Sequence, residues 1–218
     1  MEKQQIQLGK DIGAPETTGT TICAVSYDGG VIVGADSRTS AGVYIPDRTT
    51  DKLEYIDDRI FCLRSGSAAD TQTICHYVRY YLSMHKVELG KLPHVKTAAK
   101  LFNRVLYENK DRLMAGIIVA GWDPYDGAQV YSLPLGGSCT KVPYAIGGSG
   151  SGFIYGYCDA NFKENMTREE AKKFVKNAIA LAISRDNSSG GCIRMVDIHK
   201  DSYDREFIPN NDVPFKFA

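Results

Sequence analysis

The amino-acid sequence predicts an α+β fold in which antiparallel β-hairpins and helices form separate layers. Apolar runs pair around Asp-Gly turns, and the segments between these hairpins have the apolar spacing of amphipathic helices. The 218 residues are 43% hydrophobic, which excludes disordered and collagen-like proteins and allows a full core. Since no repeat or dividing linker is visible, we expect one domain over residues 20–218, preceded by a polar, aperiodic segment over residues 1–19.

The predicted strands begin abruptly after Thr20. Two pairs of apolar runs flank an Asp-Gly dipeptide, at residues 28–29 and 126–127, and each pair predicts a hairpin. Other apolar runs have similar patterns without a paired turn. The predicted strands cover residues 22–25, 31–36, 59–64, 116–122, 128–133, 141–146 and 192–198.

Three helices are predicted between these strands. Ser67-Ala68-Ala69-Asp70 has the form of a capping box and opens the first helix. Thr167-Arg168-Glu169-Glu170 opens the third helix, which we expect to end at the turn residues that begin with Asp186. The apolar positions that define the helices lie within residues 74–82, 98–106 and 171–181.

Charge and cysteine content narrow the classes of function. Lys plus Arg and Asp plus Glu each number 26, so the formal net charge is zero and favours neither nucleic acid nor an anionic membrane as a partner. No apolar run approaches the roughly 18 residues that span a bilayer. The six cysteines include no CxxC pair, so we expect no metal site. Reduced cysteines without an export signal favour the cytoplasm and the nucleus.

Common catalytic motifs do not account for the sequence. The glycine-rich segment 147–152 lacks the Lys-Ser/Thr of a phosphate-binding loop and the spacing of a dinucleotide-binding loop. No GxSxG motif occurs, and the four histidines have no obvious carboxylate partner. The sequence therefore gives little support to a histidine-based triad.

The Gly19-Thr20 junction offers another way to activate a hydroxyl group. A chain cut at this junction carries a hydroxyl and a free α-amine on Thr20, and such an amine has a pKa of about 7.7–8.0, suitable for a base near neutral pH. Glycine before threonine lets the hydroxyl approach the preceding carbonyl, because glycine has no Cβ. By itself, however, a Gly-Thr dipeptide is trivial and indicates an ordinary strand start.

Five further motifs follow this junction. Together they resemble the catalytic beta subunits of the eukaryotic proteasome core, most closely those with caspase-like, post-acidic specificity. The resemblance extends from Thr20 to near the carboxyl terminus and implies a four-layer αββα sandwich of the N-terminal nucleophile hydrolase type. Asn187 is a departure, because relatives of this specificity more often have glycine there. The motifs are Gly34-Ala35-Asp36-Ser37-Arg38, Thr49-Thr50-Asp51-Lys52, Ser65-Gly66-Ser67-Ala68-Ala69-Asp70, Gly148-Ser149-Gly150-Ser151 and Asp186-Asn187-Ser188-Ser189-Gly190-Gly191.

The resemblance also implies roles for individual residues. Thr20 is implied to be the nucleophile, exposed by self-cleavage after Gly19, with residues 1–19 as the propeptide. Asp36 and Lys52 match the charged pair beside the nucleophile, where an ammonium favours the alkoxide form of threonine. The other implied roles are orientation of the amine by Ser149, Asp186 and Ser189, oxyanion binding by the backbone N–H of Gly66, and substrate binding by Thr39, Ser40, Thr50, Arg64 and Ala68.

Arg64 is the residue on which the expected specificity depends. Strand alternation places Arg64 on the face opposite to Phe61 and Leu63. Alone, this pattern fits a solvated surface arginine. The resemblance instead places Arg64 at the base of the primary specificity pocket, near Thr39 and Thr50, where a cation favours Asp or Glu before the scissile bond.

The implied function is that of a threonine endopeptidase that cleaves unfolded polypeptides after acidic residues in ubiquitin-dependent degradation. Its implied partners are other beta subunits in a seven-membered ring, the alpha ring and the opposing beta ring, and no metal or cofactor is implied. Two alternatives stay open. An inactive ring subunit would not be labelled at the Thr20 hydroxyl, and an amidohydrolase acting on small amides would be isolated as a single chain instead of a large particle.

Overall fold

The computed structural model describes residues 19–215, so the predicted propeptide lies outside the described residues except for Gly19. The strands are β1 (Ile22–Tyr27), β2 (Gly30–Asp36), β3 (Thr39–Ala41), β4 (Tyr44–Asp47), β5 (Leu53–Asp57), β6 (Ile60–Gly66), β7 (Ala115–Asp123), β8 (Gly127–Leu133), β9 (Thr140–Val142), β10 (Tyr144–Gly147), β11 (Ile193–His199) and β12 (Tyr203–Ile208). The α-helices are α1 (Ala68–Leu89), α2 (Val95–Glu108), α3 (Tyr155–Asn161) and α4 (Arg168–Arg185). The mixture of helices and sheets predicted from the sequence is confirmed.

The strands form two five-stranded sheets and one short hairpin. The first sheet has the order β10-β1-β2-β11-β12, and the second has the order β5-β6-β7-β8-β9. Strands β3 and β4 form a separate pair. Every described pairing is antiparallel, as expected for a sheet built from hairpins.

The first predicted hairpin is confirmed and shows why its strands are apolar on both faces. Tyr27 pairs with Gly30 across the two-residue loop, and Gly29 has a φ of 108°, which a residue without Cβ adopts easily. Along β1, Cys23 packs in one apolar cluster and Ile22 in another, because successive side chains point to opposite faces. Both faces of β1 are therefore covered.

Three apolar clusters hold the elements together. One lies between α4 and the first sheet and includes Phe174 and Ile179. A second lies between the two sheets and includes Phe61 and Leu63. The third joins α1 and α2 to the second sheet and includes Phe102. Burial of these side chains is the main favourable contribution to the stability of the fold.

The single strand predicted over residues 141–146 is wrong, because the structure contains two strands there that belong to different sheets. β9 pairs with β8 in the second sheet, whereas β10 pairs with β1 in the first. Pro143 separates them and has no N–H for a sheet ladder. Its carbonyl oxygen accepts hydrogen bonds from the backbone N–H and the hydroxyl of Ser26, at 3.0 and 2.9 Å. This crossing places the glycine-rich segment beside the start of β1, where Gly147 pairs with Ile22.

The helix starts follow the predictions with one difference. Ser67 caps α1 by accepting a hydrogen bond from the Asp70 N–H. The Asp70 carboxylate does not complete the predicted capping box, because it accepts from the Met114 N–H at 3.2 Å while the Ser67 N–H donates to the Met114 carbonyl at 2.8 Å. A complete capping box forms between Thr167 and Glu170 at the start of α4.

Four short strands and one short α-helix lie where the sequence predicted no element. These are β3, β4, β5, β12 and α3. Within residues 19–215, no helix combines the length and the apolar character needed to cross a bilayer.

The contribution of the Thr167 cap of α4 to the free energy of unfolding can be tested. Thr167→Ala is expected to lower the free energy of unfolding by about 1 kcal/mol, because the Glu170 N–H loses its acceptor. Thr73→Ala is the matched control: the Thr73 hydroxyl donates to the Ala69 carbonyl in the exposed interior of α1, so the change should stay within about 0.5 kcal/mol. Urea unfolding measures both. Equal effects would contradict the capping argument.

Candidate active site

The ends of several strands converge on the Gly19-Thr20 peptide bond. Thr20 lies two residues before the start of β1, Asp36 is the last residue of β2, and Gly66 is the last residue of β6. Lys52 precedes β5, and its carbonyl accepts a hydrogen bond from the Arg64 N–H at 3.1 Å. Candidates that are far apart in sequence are thus brought to one end of the two sheets.

Two side chains donate hydrogen bonds to the Gly19 carbonyl oxygen. The Thr20 hydroxyl donates at 2.7 Å and the Lys52 ammonium donates at 3.0 Å. The Gly19 N–H donates to the Ser40 hydroxyl at 2.9 Å. A Cβ at Gly19 would overlap the Cβ and carbonyl oxygen of Ser188, so this close packing requires glycine. The carbonyl is therefore fixed beside a hydroxyl and a cation.

Lys52 is held in a fully buried position. Its ammonium donates to an Asp36 carboxylate oxygen at 2.6 Å and to the Arg38 carbonyl at 2.7 Å, in addition to the Gly19 carbonyl. Burial lowers the pKa of Lys52 from its usual value, and the neighbouring Asp36 carboxylate only partly opposes this shift. A lysine with a lowered pKa gives up a proton more readily than a surface lysine does.

Both oxygens of Asp36 are occupied. Oδ1 accepts from Lys52 and from the Thr21 N–H, the latter at 2.8 Å. Oδ2 accepts from the N–H groups of Gly190 and Arg38, at 3.0 and 3.2 Å. These bonds orient a carboxylate that is completely buried.

A second polar chain begins at the backbone nitrogen of Thr20. This N–H donates to the Ser149 hydroxyl at 3.1 Å, and Ser149 donates to Asp186 at 2.7 Å. The Ser189 hydroxyl donates to the same Asp186 oxygen at 2.6 Å. The structure thus brings Ser149, Asp186 and Ser189 together beside the nitrogen that cleavage after Gly19 would free.

Thr21 also belongs to this network, although its sequence context did not mark it as a candidate. Its hydroxyl lies 2.7 Å from the Ser189 hydroxyl, and its backbone N–H binds Asp36. Thr21 therefore connects the Asp36–Lys52 pair to the Asp186 chain. A hydroxyl residue directly before the apolar run that begins at Ile22 is the sequence signal that could have identified Thr21, and the structure buries it completely.

The other candidates lie around these two networks. The hydroxyls of Thr39 and Thr50 are 2.7 Å apart, and Thr50 donates to Asp47 at 2.6 Å. Gly66 has a φ of 100°, and a Cβ there would overlap the Met114 carbonyl oxygen. Ala68 is the first residue of α1.

Arg64 is buried, which excludes the interpretation as a solvated surface arginine. Its side chain is 7% exposed and donates to the Asp51 carbonyl at 2.8 Å. Phe61 and Leu63 pack between the sheets, whereas Cys62 packs against α1 and α2, so Arg64 shares the helix-facing side of β6 with Cys62. The predicted alternation along this strand is confirmed.

A cavity of about 540 Å³ adjoins the site. Gly19, Gly66 and Ser149 line it, together with apolar residues from both sheets such as Ile118. Arg64 is not among the described residues that line this cavity. The cavity therefore borders both Gly19 and the amino end of the glycine-rich segment.

One group of side chains has the composition of a cation site. The potential ligand atoms of His94, Asp123 and Asp126 lie within 4.8 Å of one another. However, Asp123 already accepts hydrogen bonds at both oxygens, from three backbone N–H groups and from Gln129. The His94 ring stacks on Tyr125 at 3.9 Å. These contacts explain the group as a stabilised turn.

Comparison with known proteins decides the family. The sequence profile of the Proteasome family, described as proteasome subunit, matches residues 16–198. This chain belongs to the proteasome subunit family. The family is one of threonine proteases with the N-terminal nucleophile hydrolase fold, so the resemblance drawn from the motifs is confirmed.

Individual relatives in the proteasome family are beta-type subunits. The chain is 60% identical over 196 residues to proteasome subunit beta type-6 of Dictyostelium discoideum, covering 90% of this chain and 92% of the relative. It is 57% identical over 192 residues to proteasome subunit beta type-1 of Saccharomyces cerevisiae, covering 88% and 89%. It is also 60% identical over 189 residues to the probable proteasome subunit beta type-1 of Schizosaccharomyces pombe, covering 87% and 84%.

The buried pair of Asp36 and Lys52 gives a stability test. Asp36→Asn is expected to lower the free energy of unfolding by about 3–5 kcal/mol, because Lys52 loses its counterion. In addition, the NH2 group of asparagine cannot accept hydrogen bonds from the surrounding N–H groups. Glu108→Gln, which breaks the exposed Arg104–Glu108 pair, should cost less than about 0.5 kcal/mol. Urea unfolding compares the two, and similar losses would show that Asp36 is not required for the packing of Lys52.

Proposed function

We propose that this chain is an active threonine endopeptidase subunit of the proteasome core. The observation that carries the proposal is the convergence of the Thr20 hydroxyl and the Lys52 ammonium on the Gly19 carbonyl oxygen. We further propose that the two sheets and the helices outside them form the four-layer αββα sandwich of this class, with residues 20–218 as the catalytic domain. The three clusters between successive layers support this assignment.

Self-cleavage is the first proposed reaction. The Thr20 oxygen adds to the Gly19 carbonyl carbon, the Gly19–Thr20 carbon–nitrogen bond breaks, and the hydroxyl proton passes to the Thr20 nitrogen. Water then hydrolyses the resulting ester, which releases residues 1–19 as an acid and restores the hydroxyl. The Lys52 hydrogen bond stabilises the negative charge that develops on the carbonyl oxygen.

Peptide cleavage is proposed to use the same atoms. The freed Thr20 amine accepts the hydroxyl proton, and the oxygen adds to the substrate carbonyl carbon. The scissile carbon–nitrogen bond then breaks as the leaving amine takes up that proton, which gives an acyl-enzyme. Water hydrolyses this ester, releases the acid product and restores the Thr20 hydroxyl. Ser149, Asp186 and Ser189 orient this amine, while Asp36 fixes Lys52 beside the nucleophile. The Gly66 N–H is the proposed oxyanion donor. The amine, hydroxyl and ammonium supply the chemistry, so the proposal needs no metal or cofactor.

Specificity for acidic residues before the scissile bond is proposed to come from Arg64. A buried guanidinium with few close partners favours a carboxylate ligand. Thr39 and Thr50 would line the wall of this pocket, and the main chains of Ser40 and Ala68 would pair with the extended substrate.

The biological setting is proposed from family membership. The chain would assemble with other beta subunits in a seven-membered ring, against an alpha ring and an opposing beta ring. Its substrates would be unfolded polypeptides in ubiquitin-dependent degradation, in the cytoplasm and the nucleus.

Processing is tested by intact mass and N-terminal sequencing of the assembled protein. Cleavage after Gly19 should leave 218 − 19 = 199 residues beginning with Thr20. Thr20→Ala should prevent cleavage at this bond, whereas Thr20→Ser, which keeps a hydroxyl, should still permit it. A Thr20→Ala chain cut after Gly19 would contradict self-cleavage.

The same preparation separates the two alternative functions. Labelling of the Thr20 hydroxyl by a small electrophile distinguishes an active subunit from an inactive ring component. A particle of several hundred kilodaltons argues against an amidohydrolase that acts alone on small amides.

The specificity proposal is tested by Arg64→Met. An Arg–carboxylate attraction reduced by desolvation is expected to give a net preference of about 1–3 kcal/mol, or roughly ten- to a hundredfold in kcat/KM. The variant should lose this preference while Thr20 remains open to labelling. Arg104→Met, at an exposed arginine of α2, is the control. The measurement is the ratio of kcat/KM for fluorogenic peptides with Glu and with Leu before the reporter, with the other active subunits silenced. An unchanged ratio in Arg64→Met would contradict the placement of Arg64 in the pocket.

A further inference from the structure

A carboxylate of the chain itself lies beside the guanidinium proposed to bind acidic substrates. Glu54 on β5 pairs with Cys62 of β6 in the antiparallel register, and Arg64 follows two residues later on the same face. The Glu54 carboxylate lies 3.6 Å from the Arg64 Nε. An internal carboxylate at this position competes with a carboxylate from the substrate.

Glu54 does not satisfy Arg64. The Arg64 Nε is buried and makes no hydrogen bond to any described residue, because 3.6 Å exceeds hydrogen-bonding distance. A buried N–H of a charged group without an acceptor is unfavourable. A shift of Glu54 by less than about 1 Å would satisfy it, since an N–H···O bond spans about 2.9 Å. Another contact must therefore hold Glu54 back.

Arg79 on α1 makes that contact. Its Nη2 donates to the other carboxylate oxygen of Glu54 in a tight ion pair, and its Nε donates to the Tyr55 carbonyl at 2.8 Å. The second bond fixes the Arg79 guanidinium to β5, so Arg79 holds Glu54 from a defined position. Arg64, Glu54 and Arg79 together carry one net positive charge.

We propose that Arg79 is a positioning residue that sets the preference for acidic substrates by keeping Glu54 away from Arg64. This inference rests on the proposed function and names a further determinant of its specificity. With Arg79 present, the Glu54 charge is shared between two guanidinium groups, and an incoming carboxylate neutralises the one positive charge that the three side chains retain. Without Arg79, Glu54 closes on Arg64, and the substrate carboxylate meets a neutral pair with a like charge beside it.

A double-mutant cycle on the assembled particle tests this coupling, with the other active subunits silenced. The readout is the kcat/KM ratio for fluorogenic peptides with Glu or Leu before the reporter. Arg79→Gln is expected to lower the Glu-to-Leu ratio about tenfold, a typical coupling between neighbouring charges. Arg79→Lys keeps a cation near Glu54 and should stay within about threefold of the wild type. Arg104→Gln, at the exposed Arg104–Glu108 pair, is the matched control and should leave the ratio unchanged.

Glu54 supplies the decisive arm of the cycle. Glu54→Gln should hold the ratio at or above the wild-type value, because no internal carboxylate remains. In the double variant Glu54→Gln/Arg79→Gln the ratio should return from the low value of Arg79→Gln to at least the wild-type value. A merely structural role of Arg79 would not be reversed by removing Glu54.

Two results with the Glu54 variants would overturn the inference. One is a Glu-to-Leu ratio in the double variant that is as low as the ratio in Arg79→Gln alone. The other is a fall in the ratio in Glu54→Gln, which tests the same point with Arg79 intact even if Arg79→Gln fails to assemble. If the wild type itself lacks an acidic preference, or Arg64→Met leaves it unchanged, the proposed specificity fails as well. If Arg64→Met abolishes the preference but Arg79→Gln does not alter it, this inference alone fails.

Discussion

The buried ion pair of Lys52 and Asp36 is the interaction on which the rest of the site depends. A charged group that is buried away from water is stable only when hydrogen bonds and an opposite charge compensate it, and both Lys52 and Asp36 are compensated in this way. The ammonium has three acceptors. The carboxylate accepts from that ammonium and from three backbone N–H groups, which lie just before β1, just after β2 and in the loop after α4. Satisfying this pair fixes those three segments relative to one another, and with them the Gly19 carbonyl.

The sheets make this arrangement possible by excluding water from the pair. β1 and β2 are covered by α4 on one face and by the second sheet on the other. Their ends therefore present Thr20 and Asp36 at a boundary between a rigid apolar interior and an adjoining cavity. A reactive group placed there is positioned by packing rather than by a mobile loop.

Close backbone approach is the second constraint. A Cβ on Gly19 would overlap Ser188, and a Cβ on Gly148 would overlap the Thr20 carbonyl oxygen. These glycines let the polypeptide before Thr20, the loop after α4 and the glycine-rich segment meet around one peptide bond. This close packing also explains why the polar side chains there form connected hydrogen-bond networks, since few of them reach water.

The sequence by itself determined the features that depend on neighbouring residues, such as the hairpin at Asp28-Gly29 and the Ser67 cap. Its motifs also marked Thr20, Asp36 and Lys52 as candidates, through their resemblance to a family. Tertiary structure decided the rest. Pro143 splits one apolar run between two sheets, Asp70 binds Met114 instead of completing its own cap, and Glu54 is held by Arg79, 25 residues away. Turns and caps are governed by side chains within a few positions, whereas these contacts exist only after distant segments have packed together.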